Sequence, residues 1–153
     1  MTTGTWVLLL NAASTLCLTG LIWIVQLVHY PSFAYVAPDR FEAFTTFHQR
    51  SISYIVMPLM LVEVGTALAL LVHKPTVLPM WIAVLGAALL GVIWASTFAL
   101  QVPLHTQLTQ GHDENAIRKL VQTNWIRTIA WTSRAALAVA SVAMVMGQRS
   151  PAP

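Results

Sequence analysis

Four apolar stretches constrain this chain more than any other feature: roughly Trp6 to Tyr30, Ile52 to Val72, Val77 to Val102 and Thr128 to Met146. Each is long enough to cross a hydrocarbon core about 30 Å thick, which takes about 20 apolar residues in a helix. A soluble fold of 153 residues could not hide so much apolar surface. With 57% hydrophobic and 8% charged residues, the composition lies far from soluble domains, of which about a quarter is charged. The sequence therefore predicts an all-α, antiparallel four-helix transmembrane bundle. It is one domain over 1–153, with helices at about 6–30, 39–72, 77–102 and 124–147.

The first stretch is too long for a secretory signal, and Met1 to Thr5 carries no basic residue, so this helix is expected to stay in the mature chain. Cys17, the only cysteine, lies inside it, which excludes an intrachain disulfide framework and a thiolate zinc site. The net charge of +3 comes from scattered basic residues with no patch suited to nucleic acid. Their distribution bears on topology instead. Arg40, Arg50, Arg118, Lys119 and Arg127 fall on one side of the bundle, Lys74 and Arg149 on the other. The positive-inside rule then makes the richer side cytoplasmic and puts both termini outside, with a bacterial inner membrane the expected location.

No repeat of about 20 to 50 residues is visible, and "SPAP" reads as a frayed tail. "YPSFAYVAPDRFEAF" has the prolines and aromatics of a segment at the membrane interface. Asp39 and Glu42 fit a helix N-cap with a reciprocating acid, and "HKPTVLP" a tight turn into the third helix. Gly86, Ala87 and Gly91 allow close helix contact, and "TQGHDENAIRKL" suggests a short amphipathic helix before the fourth span.

At 100 degrees per residue the polar residues of these apolar helices fall into lines. Asn11, Thr15, Gln26 and His29 share a face of the first helix; Trp94, Thr97, Gln101 and His105 align on the third; Asn124, Arg127, Trp131 and Arg134 form a narrow stripe on the fourth. His48 and Glu63 lie close in angle on the second. Chain direction brings His29, His48, His105, Asn124 and Arg127 toward one end of the bundle. A charge at the centre of a spanning helix costs about 2.5 to 3.5 kcal/mol and needs a partner. Glu63 and Arg134 stand at similar depths, which predicts an intramembrane ion pair facing the interior. It serves either as a lock on helix register or as a proton- or substrate-handling site.

Each of the other candidates has a plain reading beside the functional one. His29, His48 and His105 are either three interfacial histidines with unrelated hydrogen bonds or a site for iron, copper or zinc with an open position, with haem ligation by two of them a further option. No HxxxH or ExxH spacing accompanies them. Trp94 and Trp131 either fill the core or wall a pocket for a flat aromatic ligand. Trp81 and Trp125 read as interface anchors, Met57, Met60, Met144 and Met146 as packing, and His73 and His112 as solvated.

The stretch "VPLHTQL…NWIRTIAWTSRAALA" resembles the second half of the anthrone-oxygenase-like family of small four-helix membrane proteins, through Pro103, Leu108, Asn124 and Arg127. His105 departs from the family, where an asparagine is expected. The resemblance covers about a third of the chain. It implies a membrane oxygenase or oxidoreductase acting on a flat, lipophilic, easily oxidised substrate such as an anthrone or hydroquinone. His105 or His48 would be the base, Arg127 and Asn124 the donors to an oxyanion, and Trp94 or Trp131 a stacking wall, with Gln101 beside them. The cofactor is iron, copper, haem or none. The competing class is a non-catalytic membrane subunit that binds haem, pigment or quinone, or packs in a homo-oligomer or larger complex; nothing supports a transporter's paired broken helices.

Overall fold

The computed structural model describes residues 2–148; Arg149 and the "SPAP" tail lie outside them. Four helices follow one another: α1 (Thr3–Tyr35), α2 (Pro38–His73), α3 (Met80–Leu108) and α4 (Glu114–Gly147). All four are long and apolar enough to cross a membrane, as expected of a multi-pass integral membrane protein. At 1.5 Å per residue they measure about 44 to 54 Å, so their ends reach beyond a hydrocarbon core of about 30 Å.

Two of the helices, α1 and α4, begin earlier than hydropathy suggests, because their polar starts are capped by side chains. Thr2 accepts from Thr5 N–H at the start of α1. Asp113 accepts from the N–H groups of Asn115 and Ala116, so the expected separate amphipathic helix is simply the first turns of α4. Gly111, at φ +143°, makes the turn that precedes it. The expected cap at Asp39 is not formed: Ala37 is the N-cap, without a side-chain bond, and Pro38 opens α2 with Asp39 in its first turn.

Pro103 does not end α3, and Pro31 does not end α1. A proline offers no N–H to the carbonyl four residues back. In both helices the ladder widens into a π-turn just before the proline, Val25–His29 in α1 and Thr97–Gln101 in α3. There Tyr30 N–H reaches Val25 O and Val102 N–H reaches Thr97 O, and the helix continues past the proline. Both turns place a buried glutamine, Gln26 or Gln101, on the inner face.

Side-chain pairings set the arrangement. Going up α1, Asn11, Thr15 and His29 meet Thr66, Glu63 and His48 in descending order on α2. Thr19 and Gln26 likewise meet Trp131 and Val121 on α4, while Gly86 and Gln101 of α3 meet Arg134 and Thr123. Neighbours are therefore antiparallel, in the order α1–α2–α3–α4 around a ring. Leu18, Phe33, Phe41, Met60, Ile93 and Leu120 fill the centre, and exposed residues such as Leu27, Leu61, Val84 and Ile129 form the lipid-facing surface. Lipid tails are as apolar as leucine, so polar contacts and close packing decide how such helices associate. Of the small residues on α3, Gly86 is used in this way, its carbonyl accepting from Arg134; Gly91 faces open space, contrary to expectation.

Candidate functional site

The polar interior is built in layers. Nearest the end where α1 and α3 finish, Thr45 donates to Leu108 O and ties α2 to α3. His112 stacks edge-on against Phe41 with ring centroids 4.8 Å apart, half-buried where solvation was expected. In the next layer His29 Nε2 and His48 Nδ1 are 2.7 Å apart, and Tyr30 Oη and His105 Nε2 2.8 Å apart. Gln49 donates to His105 O at 2.8 Å and holds that turn. Below, Asn124 donates to Gln26 Oε1 at 2.8 Å, and Gln101 to Thr123 Oγ1 at 2.9 Å.

Deeper still lies the Glu63–Arg134 ion pair, with Arg134 Nε 3.0 Å from Glu63 Oε1 and both side chains almost wholly buried. Glu63 is fully used: Thr15 donates to Oε1 at 2.7 Å and Trp131 Nε1 to Oε2 at 3.1 Å. Arg134 also donates to Gly86 O. Such saturation is what makes a buried pair tolerable.

Between these layers is a cavity of about 160 Å³ to which all four helices contribute. Leu18, Ile22 and Met60 form its apolar wall; Tyr30, His48, Gln101, His105, Arg127 and Trp131 supply the polar one. Four of those residues carry a buried polar atom with no hydrogen-bond partner among the described residues: His48 Nε2, His105 Nδ1, Gln101 Oε1 and Arg127 Nε. Arg127 is 7% exposed and makes no salt bridge among the described residues. Its guanidinium lies 5.2 Å from the centroid of the Trp131 ring, a cation–π contact. Trp131 thus connects the ion pair, through its indole N–H, to the charge beside the cavity. Buried Arg127 no longer counts toward topology; Arg40, Arg50, Arg118 and Lys119 are the exposed basic residues at that end.

The sequence candidates divide. His48, His105, Arg127, Gln101 and Trp131 line the cavity, while Asn124, Trp94 and His29 do not. Asn124, fully buried, donates its side-chain N–H to Gln26 and joins α1 to α4, while its Oδ1 has no hydrogen-bond partner among the described residues. Trp94 packs against Phe98 at 5.5 Å instead of walling the pocket. His29 sits in a groove of about 320 Å³ on the α1–α2 seam, and His48 lines both that groove and the cavity. Tyr30 is the site residue that sequence reasoning missed, having been placed at the apolar end of the first helix. It follows Gln26 by one helical turn and so belongs to the same inward stripe.

The three imidazoles make a chain and not a ligand set. His29 is joined to His48 by a hydrogen bond, and His48 and His105 have ring centroids 5.6 Å apart. Among the described residues no three His, Cys, Asp or Glu side chains are grouped to hold a metal. The expected three-histidine site for iron or copper is not formed by this geometry, and a haem macrocycle is far larger than the cavity.

No family model matches the chain, and neither a curated protein nor a solved structure matches it.

Proposed function

We propose that this chain is an integral membrane oxidoreductase that oxidises a lipophilic hydroxylated aromatic of the quinol type in the cavity between its helices. One observation carries the reading: a buried, permanently charged arginine with no carboxylate partner among the described residues shares a mostly apolar cavity with two histidine nitrogens that likewise have no partner among them. A cation in such surroundings favours an oxygen that carries or develops negative charge, and low-dielectric walls strengthen the effect. The resemblance to anthrone-oxygenase-like proteins points the same way, although Asn124 and Trp94 take no part.

In this reading a ring hydroxyl gives its proton to His48 Nε2, and Arg127 stabilises the oxyanion. Tyr30 orients His105 for a second hydroxyl or carbonyl. Oxidation of a hydroquinone breaks both O–H bonds and releases two electrons and two protons, leaving the quinone. Dioxygen is the acceptor: it takes up both electrons and both protons and departs as hydrogen peroxide. By the positive-inside rule the exposed arginines and lysine at the site's end support an orientation with that end cytoplasmic, in a bacterial inner membrane with the termini outside.

Oxygen uptake and peroxide release by the purified protein in lipid nanodiscs, with a membrane-soluble hydroquinone, test the reading. Arg127→Met is expected to lower the rate by about 10²- to 10³-fold, the usual cost of losing one oxyanion donor. Binding of the hydroquinone without turnover would instead identify a non-catalytic carrier subunit. An unchanged rate in the variant would remove the site assignment.

A further inference from the structure

The size and the opening of the cavity bear on what kind of aromatic it takes. A cavity of about 150 Å³ accommodates one benzene ring, and this one measures about 160 Å³. Three fused rings, as in an anthrone, need far more room than that. On the side of α1 and α4 the lining residues Leu18, Ile22 and Trp131 are all buried. Toward the α2–α3 seam the lining residues Ser53, Met57 and Val102 are instead exposed at the surface of the bundle. This is also the seam along which neighbouring helices pack least closely.

The depth of that opening matters. Val102 lies about 9 Å from the Leu108 end of α3 at 1.5 Å per residue. Because α3 is about 44 Å long and the hydrocarbon core about 30 Å, the seam opens just inside the hydrocarbon boundary. His48 Nε2, His105 Nδ1 and Arg127 Nε, on lining residues of the same cavity, are by contrast buried.

We propose that the ligand is a single hydroxylated ring bearing an apolar tail, with the ring enclosed beside His105 and Arg127 and the tail leaving between α2 and α3 into the bilayer. The proposal rests on the functional reading above and narrows it. A tailed ring reaches the site by lateral diffusion in the membrane and leaves its chain in hydrocarbon throughout. A ring without a tail has to be drawn from water, and a tricyclic one has to force the helices apart.

Equilibrium binding to the protein in nanodiscs, measured by titration calorimetry, tests this with three probes: a hydroquinone carrying a decyl chain, unsubstituted hydroquinone and a tricyclic anthrone. The tailed ring is expected to bind at least about tenfold more tightly than either of the others. Val102→Trp, on the exposed rim, is expected to weaken the tailed ring by about tenfold while leaving the tail-less ring unchanged. Met57→Trp, on the facing helix, should repeat that selective loss. If the anthrone binds as well as the tailed ring, or if both rim variants affect neither ligand or both alike, this inference fails while the functional reading stands. If no ring compound binds, the functional reading itself falls, and this inference with it.

Discussion

His29 Nε2 and His48 Nδ1 stand 2.7 Å apart, joining α1 to α2 and connecting the inner cavity to a half-buried imidazole on the outer seam. With the shared proton on His48 Nδ1, the other nitrogen of His48 faces the cavity as an acceptor. A proton taken there can be matched by one handed to His29, so that the proton moves outward without a free charge stranded between the helices.

That relay makes the two histidines unequal. If the proposed hydroquinone oxidation is the activity, His48→Gln is expected to slow it by about 10²-fold or more, as for loss of a general base, and His29→Gln by a smaller factor. Both variants should still bind the ring. Parallel calorimetry and oxygen-uptake assays check this; a His29→Gln protein as fast as the unmodified one would remove His29 from the proton path.

Glu63 and Arg134 are expected to behave as a structural unit. Removing one partner leaves an uncompensated charge in the bundle and costs about 3 to 5 kcal/mol, so Glu63→Gln and Arg134→Met should each unfold much earlier in denaturant. The double variant should be markedly more stable than the Arg134→Met single variant. Equal damage in the double variant would mean that Thr15, Trp131 and Gly86, and not the pairing of charges, dominate the layer.

Asn124→Ala should lower stability by about 1 to 3 kcal/mol, because Gln26 loses a buried donor. Affinity for the single-ring probe should be unchanged, since Asn124 does not line the cavity. Unfolding and binding measured on the same preparation separate the two effects. A selective loss of affinity would return Asn124 to the site.

Gly4 meets the backbone carbonyl of His73 so closely that a Cβ would collide with it. Gly4→Ala is therefore expected to push the start of α1 away from the end of α2 at a cost of about 1 to 3 kcal/mol. Gly91→Ala, with open space around it, should be tolerated. Thermal unfolding of the two variants side by side makes the comparison.

Asp113 supplies a pH dependence outside the spans. The Ala116 backbone N–H holds its carboxyl below the usual carboxylate range, with Asn115, Gln107 and Lys119 adding to the effect. A folded pKa below the unfolded one means that this contribution is complete above the ordinary carboxylate pKa and is lost as pH falls through the lower folded value. Protection of the amides in the first turn of α4, taken relative to their intrinsic exchange rate, should fall over that acidic window, and Asp113→Asn should flatten the response.

Much of this protein is legible in its sequence because a bilayer leaves few alternatives. Four apolar runs have to be helices, since lipid offers no partner for unpaired backbone groups. A glutamate and an arginine at matching depths on two of them have to point inward and meet, and the constant rise of a helix is enough to bring Glu63 level with Arg134. The helix ends are less legible, because Asp113 and Thr2 extend α4 and α1 through capping rather than hydropathy. Pro31 and Pro103 look like stops in a hydropathy profile yet are absorbed by π-turns.

What the tertiary structure alone decided is which polar group satisfies which. A helical wheel assigns Asn124, Trp94 and His29 to inner faces but says nothing about partners on other helices. Asn124 is taken by Gln26, Trp94 turns toward Phe98, and His29 reaches His48 at the outer seam, leaving Tyr30 beside His105. Periodicity is a property of one helix and follows from local geometry. Pairing depends on the rotation and offset of two helices against each other, and here a π-turn changes the angular register of α1 and α3 before their polar ends meet the rest of the bundle.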